Sequence, residues 1–433
     1  MSFLKVLGFD PAKHNVKTEI VAGITTFLTM AYILAVNPDI FSALEEMGMP
    51  KGAVFTATAL AAIVGTLVMS IYAKKPYALA PGLGLNAFFV YTVCLTMGYS
   101  WQFALTAVLI EGIIFIILTV TNVREAIINA IPKSMKSAVS AGIGLFIAFI
   151  GLVNAGIIVD DGGTIISLGT ITSGPALLAI VGLVITSVMM ILKVPGAMLI
   201  GIIVTAIIGI PFGITKFDGV VSAVPSVAPI FCKFEFHNIL TWDMIIVVFT
   251  FLFIDMFDTI GTVIGVSKKA NTMNPDGTIP GVKKVLMADA VATVWGAICG
   301  TSTTTTYVES ASGVAEGGRT GLTSFTVAIC FAIALFFAPV FLAIPSAATA
   351  PALILVGVMM MSSILDVDFN DFSECIPAYI CMIVMPLAYS ISDGIMLGMI
   401  SFVVLNALTG KFKKISVMMW ILAVLFILRY ILL

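Results

Sequence analysis

Two aspartates, Asp255 and Asp258, stand three residues apart inside the apolar stretch from Ile245 to Thr262. That spacing puts both carboxyls on one face of a helix. A charge at membrane depth costs roughly 3 kcal/mol or more, so such groups usually face a bundle interior or a wet cavity and mark a substrate or ion pathway. A third acid, Glu309, follows the polar run Thr303-Thr304-Thr305-Thr306-Tyr307-Val308. An ionised carboxylate accepts hydrogen bonds, and a protonated one also donates. Two carboxyls close together in a low dielectric favour proton uptake by one of them.

The elements that carry these acids must be membrane-embedded. The chain has 433 residues, 60% hydrophobic and only 10% charged, against about 25% charged in soluble domains. Its mean hydropathy of +1.16 agrees. The expectation is an all-α polytopic membrane protein with no appended soluble domain and no cleaved signal. A net charge of −2 without a basic run argues against nucleic-acid binding. Six scattered cysteines without a CxxC, and two histidines, argue against a zinc site or disulfide frame. His14 and His237 fall outside the apolar runs, which argues against an intramembrane enzyme; no cofactor or metal is expected.

Apolar runs long enough to cross a bilayer, or nearly so, occur at 19–36, 52–73, 78–97, 102–121, 136–155, 175–192 and 195–211. A polar loop over 212–242 separates them from 243–265, 285–299, 302–316, 321–343, 350–364, 375–388 and 391–408. This predicts fourteen transmembrane segments. Lysines and arginines, among them Lys17, Lys74, Arg124, Lys133, Lys193, Lys268, Lys269, Arg319 and Lys411, then fall on one side, so the N-terminus is expected in the cytoplasm. The acidic loop 366–374, also placed inside, runs against that pattern. Seven spans before the central loop place the second seven upside down, a 7+7 inverted repeat of the kind secondary transporters use. Weak echoes, such as Ile131-Pro132 with Ile344-Pro345, support it. The stretch 415–433 has no counterpart; it lies at the interface or crosses once more.

Two spans cannot be ordinary helices. In span 3, Pro81, Gly82 and Gly84 disfavour a helix start before Asn86. In span 10, the threonines of Gly300-Thr301-Ser302-Thr303-Thr304-Thr305-Thr306 favour extended backbone. Both read as a short strand leading into a half-helix. Broken backbone at membrane depth is tolerated where it is buried in protein or lines a cavity, and a matched pair of broken spans points to a binding site.

Four segments carry a resemblance: 17–38, with Gly23-Ile24-Thr25-Thr26-Phe27-Leu28-Thr29-Met30-Ala31-Tyr32; Pro81-Gly82-Leu83-Gly84-Leu85-Asn86-Ala87-Phe88-Phe89; Asp258-Thr259-Ile260-Gly261-Thr262; and 308–321, with Glu309-Ser310-Ala311-Ser312-Gly313. The chain resembles the AzgA-like purine permeases of the nucleobase–cation symporter class over nearly its whole length. The resemblance implies a core domain (19–121, spans 1–4, and 243–343, spans 8–11) and a gate domain (122–211, spans 5–7, and 344–410, spans 12–14). Flanking these are a cytoplasmic N-terminus (1–18), the extracytoplasmic loop 212–242 and the C-terminal apolar segment 411–433. It further implies a purine site between spans 3, 8 and 10, proton coupling and an elevator-like core movement. Its span-8 acid falls on Asp258 rather than Asp255, its span-10 acid on Glu309, its span-9 acid on Asp289 and its span-3 polar position on Asn86. Thr262 stands where some xanthine- and uracil-type relatives carry an acid or histidine, which favours the AzgA branch over pyrimidine or xanthine–uric acid specificity; within that branch the expected substrates are guanine and hypoxanthine, with adenine the close alternative. An anion exchanger of the same fold is the rival reading, against which Asp258 and Glu309 argue.

On this reading Glu309 and Asp258 grip the purine edge and one carries the coupled proton, while Asn86, Gly84, Phe88, Val308 and Tyr307 complete the substrate site. Asp289, Asp255 and Thr262 belong to the surrounding network. The bland alternatives remain: Glu309 or Asn86 as a helix cap, Phe88 as packing, Glu111 as a buried structural acid rather than part of a proton path. Gly84, Gly261 and Gly313 are read as sites of close backbone approach. The expected partners are a purine base, the bilayer of the plasma or inner membrane, and a second copy through the gate domain.

Overall fold

The structure, a computed structural model, describes residues 2–121, 131–217, 219–237, 239–270, 272 and 279–432. Arg124, and the side chains of Lys268 and Lys269, lie outside the described residues.

The elements are α1 (Val16–Met30), α2 (Ile33–Phe41), α3 (Lys51–Val68), β1 (Leu79–Pro81), α4 (Leu83–Ala87), α5 (Trp101–Thr121), α6 (Lys133–Asn154), a hairpin of β2 (Ile158–Asp161) and β3 (Ile165–Leu168), α7 (Gly174–Ile191) and α8 (Ala197–Gly209). After the long loop come α9 (Trp242–Lys269), α10 (Val282–Cys299), β4 (Thr304–Thr306), α11 (Ser310–Ala315), α12 (Gly321–Ala334), α13 (Ser346–Met361), α14 (Phe372–Leu387), α15 (Ile391–Leu408) and α16 (Val417–Leu432). Among the described residues nine helices are long and apolar enough to cross a membrane, and four shorter apolar helices accompany them.

Helix neighbours fall into two groups. In the first, α3 and α5 pack on α10, α1 on α12, α2 on α3, α9 and the helical segment Phe88–Thr96 on α5, and α11 on α1. In the second, α13 and α14 pack on α6, α7 on α8 and α15 on α14. The loop over 212–242 is fastened to the first group: Thr56 Oγ1 donates to Pro225 O at 2.7 Å, and the amides of Cys232 and Glu235 donate to Ile298 O at 2.8 Å and Thr106 Oγ1 at 2.8 Å.

The acidic loop that ran against the charge pattern is neutralised where it lies. Asp366 pairs with Lys133 at 2.6 Å, and Asp371 pairs with Lys411 at 3.1 Å and Lys414 at 2.6 Å. These lysines are the ones the sequence assigned to the same side. The C-terminal α16 packs on α15: near its far end Tyr430 Oη donates to Asp393 Oδ1 at 2.7 Å, while Lys414, just before its start, reaches Glu374 at 2.7 Å.

The first half-helix begins earlier than expected, at Leu83 rather than Asn86. Gly82 absorbs the break: its ψ of 127° is extended, its amide continues the strand ladder to Thr303 O at 3.0 Å, and its carbonyl receives the amide of Asn86 at 2.8 Å. Gly84 then sits inside the helix.

Candidate functional site

The two broken spans meet. β1 pairs antiparallel with β4, Leu79 opposite Thr306, Ala80 opposite Thr305 and Pro81 opposite Thr304. Both strands are fully buried, so the ladder satisfies backbone groups that would otherwise be stranded at membrane depth. Tyr307 Oη locks the pair by donating to Pro81 O at 2.6 Å.

Residues 301–306 send hydroxyls into nearly every neighbouring helix. Asn37 Nδ2 of α2 donates to Thr301 Oγ1 at 3.2 Å, and Ser302 Oγ donates to Asn86 Oδ1. Thr303 Oγ1 donates to Glu111 Oε2 of α5 at 2.6 Å. Thr304 packs its hydroxyl against Gly296, where an added Cβ would lie 2.4 Å from Thr304 Oγ1. Thr305 Oγ1 lies 2.7 Å from Thr259 Oγ1 of α9. Asp289 Oδ1 of α10 accepts from Thr306 N at 2.9 Å and Thr306 Oγ1 at 3.0 Å. Thr259 also donates to Asp289 Oδ2 at 2.9 Å and Asp255 Oδ1 at 3.1 Å. The threonines thus do more than favour extended backbone: their hydroxyls satisfy acids and amides that burial would otherwise penalise.

Where the strands end, a cavity of about 380 Å³ opens between the two groups. Glu309 and Asp258, both half-buried, face it from the first group, with Thr262, Gly84, Tyr307 and Val308. Tyr32, at the break between α1 and α2, donates its hydroxyl to Glu309 Oε1 at 2.7 Å. The opposite wall is Val139, Ser140 and Ile143 of α6 with Val356, Met359 and Met360 of α13. Ser362 and Ser363, next to the Lys133–Asp366 pair, line it as well, so the cavity reaches toward the lysine-rich end. It offers hydrogen-bond acceptors and hydroxyls between otherwise apolar walls, suited to a small solute with polar edges.

The structure separates the expected site residues. Glu309, Asp258, Gly84, Val308, Tyr307 and Thr262 line the cavity. Asp289 and Asp255 are fully buried behind it. Two expectations are corrected. Asn86 does not line the cavity; it is buried against Ser302 and Pro81 O, because the earlier helix start turns it about 200° away from Gly84. Phe88 does not line it either; it is buried edge-on against Phe251, ring centroids 4.8 Å apart. Nor is Glu309 a side-chain cap: it occupies the N-cap position of α11 without a capping bond. Gly313 does permit close approach, since a Cβ there would sit 2.4 Å from Ala22 O, but Gly261 faces open space. Tyr32 was missed; the signal available was a phenol inside an apolar span.

The sequence profile of the Permease family (Xan_ur_permease) matches residues 17–397. The chain belongs to the Permease family. A guanine/hypoxanthine permease of Bacillus subtilis (strain 168) is 45% identical over 98% of this chain and 98% of its own length. An adenine permease of Escherichia coli (strain K12) is 41% identical over 96% of this chain and 94% of its own. The fold is shared with the transmembrane domain of a cyanobacterium bicarbonate transporter, with a TM-score of 0.65 at 16% identity over 89% of this chain and 97% of that one. This permease is therefore a multi-pass membrane transport protein.

Proposed function

We propose that this permease imports purine nucleobases, guanine and hypoxanthine foremost, by proton symport across the plasma or inner membrane. The observation that carries the reading is the convergence of Glu309 and Asp258 on one cavity, with Tyr32 fixing Glu309. Guanine and hypoxanthine present ring N–H donors, which carboxylates accept. The Bacillus relative named for these bases supports the choice. The adenine permease of Escherichia coli supports adenine as the second reading. An anion would meet two carboxylates, so the shared fold with a bicarbonate transporter does not extend to its substrate.

The first helix group acts as the core domain and the second as the gate. Fourteen spans in a 7+7 inverted repeat carry them, the lysine-rich end lies in the cytoplasm with the N-terminus, and the core moves as an elevator against a gate that pairs with a second copy. One assay tests this: uptake of radiolabelled guanine, hypoxanthine, adenine, xanthine and uracil into a transport-deficient strain, with and without a protonophore. Guanine and hypoxanthine accumulate, and the protonophore abolishes accumulation. Uptake of none of the purines, or accumulation that survives the protonophore, overturns the reading.

A further inference from the structure

At the end opposite the cavity mouth, the two helix groups are joined through a buried acid. Asp39 of α2, 4% exposed, accepts from Ser346 Oγ at 2.7 Å and from Thr349 Oγ1 at 2.6 Å. Both donors lie on the first turn of α13, a helix of 16 residues that begins after Pro345 with no side-chain cap of its own. A carboxylate against that turn also complements the helix dipole. Two further hydrogen bonds cross between the groups at this end: Asn154 Nδ2 to Tyr91 Oη at 3.1 Å and Thr92 Oγ1 to Tyr389 O at 3.4 Å. Near the cavity mouth, by contrast, Ser363–Ser140 and Lys133–Asp366 stay within the second group.

Lys51 of α3 adds the telling detail. Its Nζ is 3.7 Å from Asp39 Oδ1, and it belongs to the same group as Asp39. If the groups slide apart, Ser346 and Thr349 leave while Lys51 travels with the acid, so the carboxylate is not left buried without a partner. We propose that Asp39, Ser346 and Thr349 form a clamp that closes the 212–242 end and opens in every transport cycle, with Lys51 taking over the carboxylate when it opens. Asp39 is thus a positioning residue that sets the balance between the two access states. Hydrogen bonds to a charged acceptor each bias such a balance by about tenfold or more. The inference rests on the alternating-access part of the proposed function and not on the identity of the substrate.

The test reads access directly. Val308→Cys, facing the cavity from the first group, is placed in a Cys232→Ser background and labelled with a membrane-impermeant maleimide from either face, in intact cells and inverted vesicles. Ser346→Ala with Thr349→Val raises the labelling rate from the 212–242 face at least about tenfold and lowers it from the opposite face. Asp39→Asn, which keeps one acceptor, gives a smaller rise in the same direction and serves if the double variant fails to fold. Lys51→Gln lowers labelling from the 212–242 face below that of the parent. Unchanged labelling from both faces, in variants that melt as the parent does, overturns the clamp. Binding of radiolabelled hypoxanthine by the parent protein, with Val308 and Cys232 intact, is scored separately: its absence refutes the purine reading and leaves the labelling result intact.

Discussion

β1–α4 and β4–α11 have the same shape and opposite chemistry. Each is a three-residue strand leading into a half-helix, and they pair with one another. The first is Leu79-Ala80-Pro81 followed by Gly82 to Leu85, with no ionisable group. The second, with the residues Thr301 to Thr303 that lead into it, carries the hydroxyls that engage α2, α5, α9 and α10, and delivers Glu309 to the cavity. One strand is a template and the other a working part. Repetition of a motif supplies geometry, while the polar side chains that a solute or proton meets need be invested in only one copy.

The largest break of that asymmetry is at Glu309. Glu309→Gln keeps the size of the side chain and an acceptor for Tyr32 but removes the charge. Concentrative uptake of hypoxanthine falls to background, whereas Leu83→Met in the matching half-helix leaves it within severalfold. Retained accumulation in the glutamine variant means that Glu309 is not part of coupling.

A smaller contrast comes from the two glycines. A Cβ at Gly313 would lie 2.1 Å from Thr26 Oγ1 and 2.4 Å from the backbone oxygen of Ala22, so α1 itself must move. At Gly84 it would lie 2.7 Å from Ile143 Cγ2, the side chain of the facing group. Gly313→Ala therefore lowers the amount of folded protein recovered from membranes. Gly84→Ala leaves folding near normal and reduces uptake, because it crowds the surface along which the two groups face each other. Equal effects on yield would show that the half-helices are packed alike.

How much of this was legible follows from which interactions are local. Pro81, Gly82 and the threonine run are local signals, and both broken spans stand where they indicate. Asp258 and Glu309 were legible because charge in an apolar run is rare. The pairing of 79–81 with 304–306 was not, since the partners lie more than two hundred residues apart. Without that register the start of the first half-helix slips, and with it the directions of Asn86 and Phe88. Tyr32 was hidden for a related reason: its partner, Glu309, is 277 residues away. The acidic loop 366–374 misled because its lysines lie on other segments, Lys133 in the first half of the chain and Lys411 and Lys414 beyond α15.

The strands themselves give the next contrast. Thr305→Val preserves shape and deletes the hydroxyl that meets Thr259, in a network containing Asp289 and Asp255. A buried polar group left short of a partner costs about 1–3 kcal/mol. Leu79→Val in the apolar strand removes one methylene and costs about 1 kcal/mol. Thermal melts of the two purified variants rank them in that order if the hydroxyls hold the first helix group together, and reverse if packing does.

The smallest effect belongs to the charged loop and isolates the interior acids. Hydrogen bonds from Lys414, Ser373 and Lys411 hold the Asp371 carboxyl well below the ordinary carboxylate range. Its contribution is therefore present above about pH 4 and is lost only as pH falls through the lowered value. Asp371 and Glu374 hold the Lys414 ammonium above its usual range. That contribution is present below about pH 10 and is lost as pH rises through the raised value. Between roughly pH 5 and 9 neither group changes charge. Asp371→Asn thus leaves the shape of the uptake–pH profile unchanged across that window. Asp258→Asn alters the profile if Asp258 exchanges the coupled proton. A profile that moves with Asp371 would shift the pH sensor from the cavity to the loop, and Asp258 would lose its claim to proton coupling.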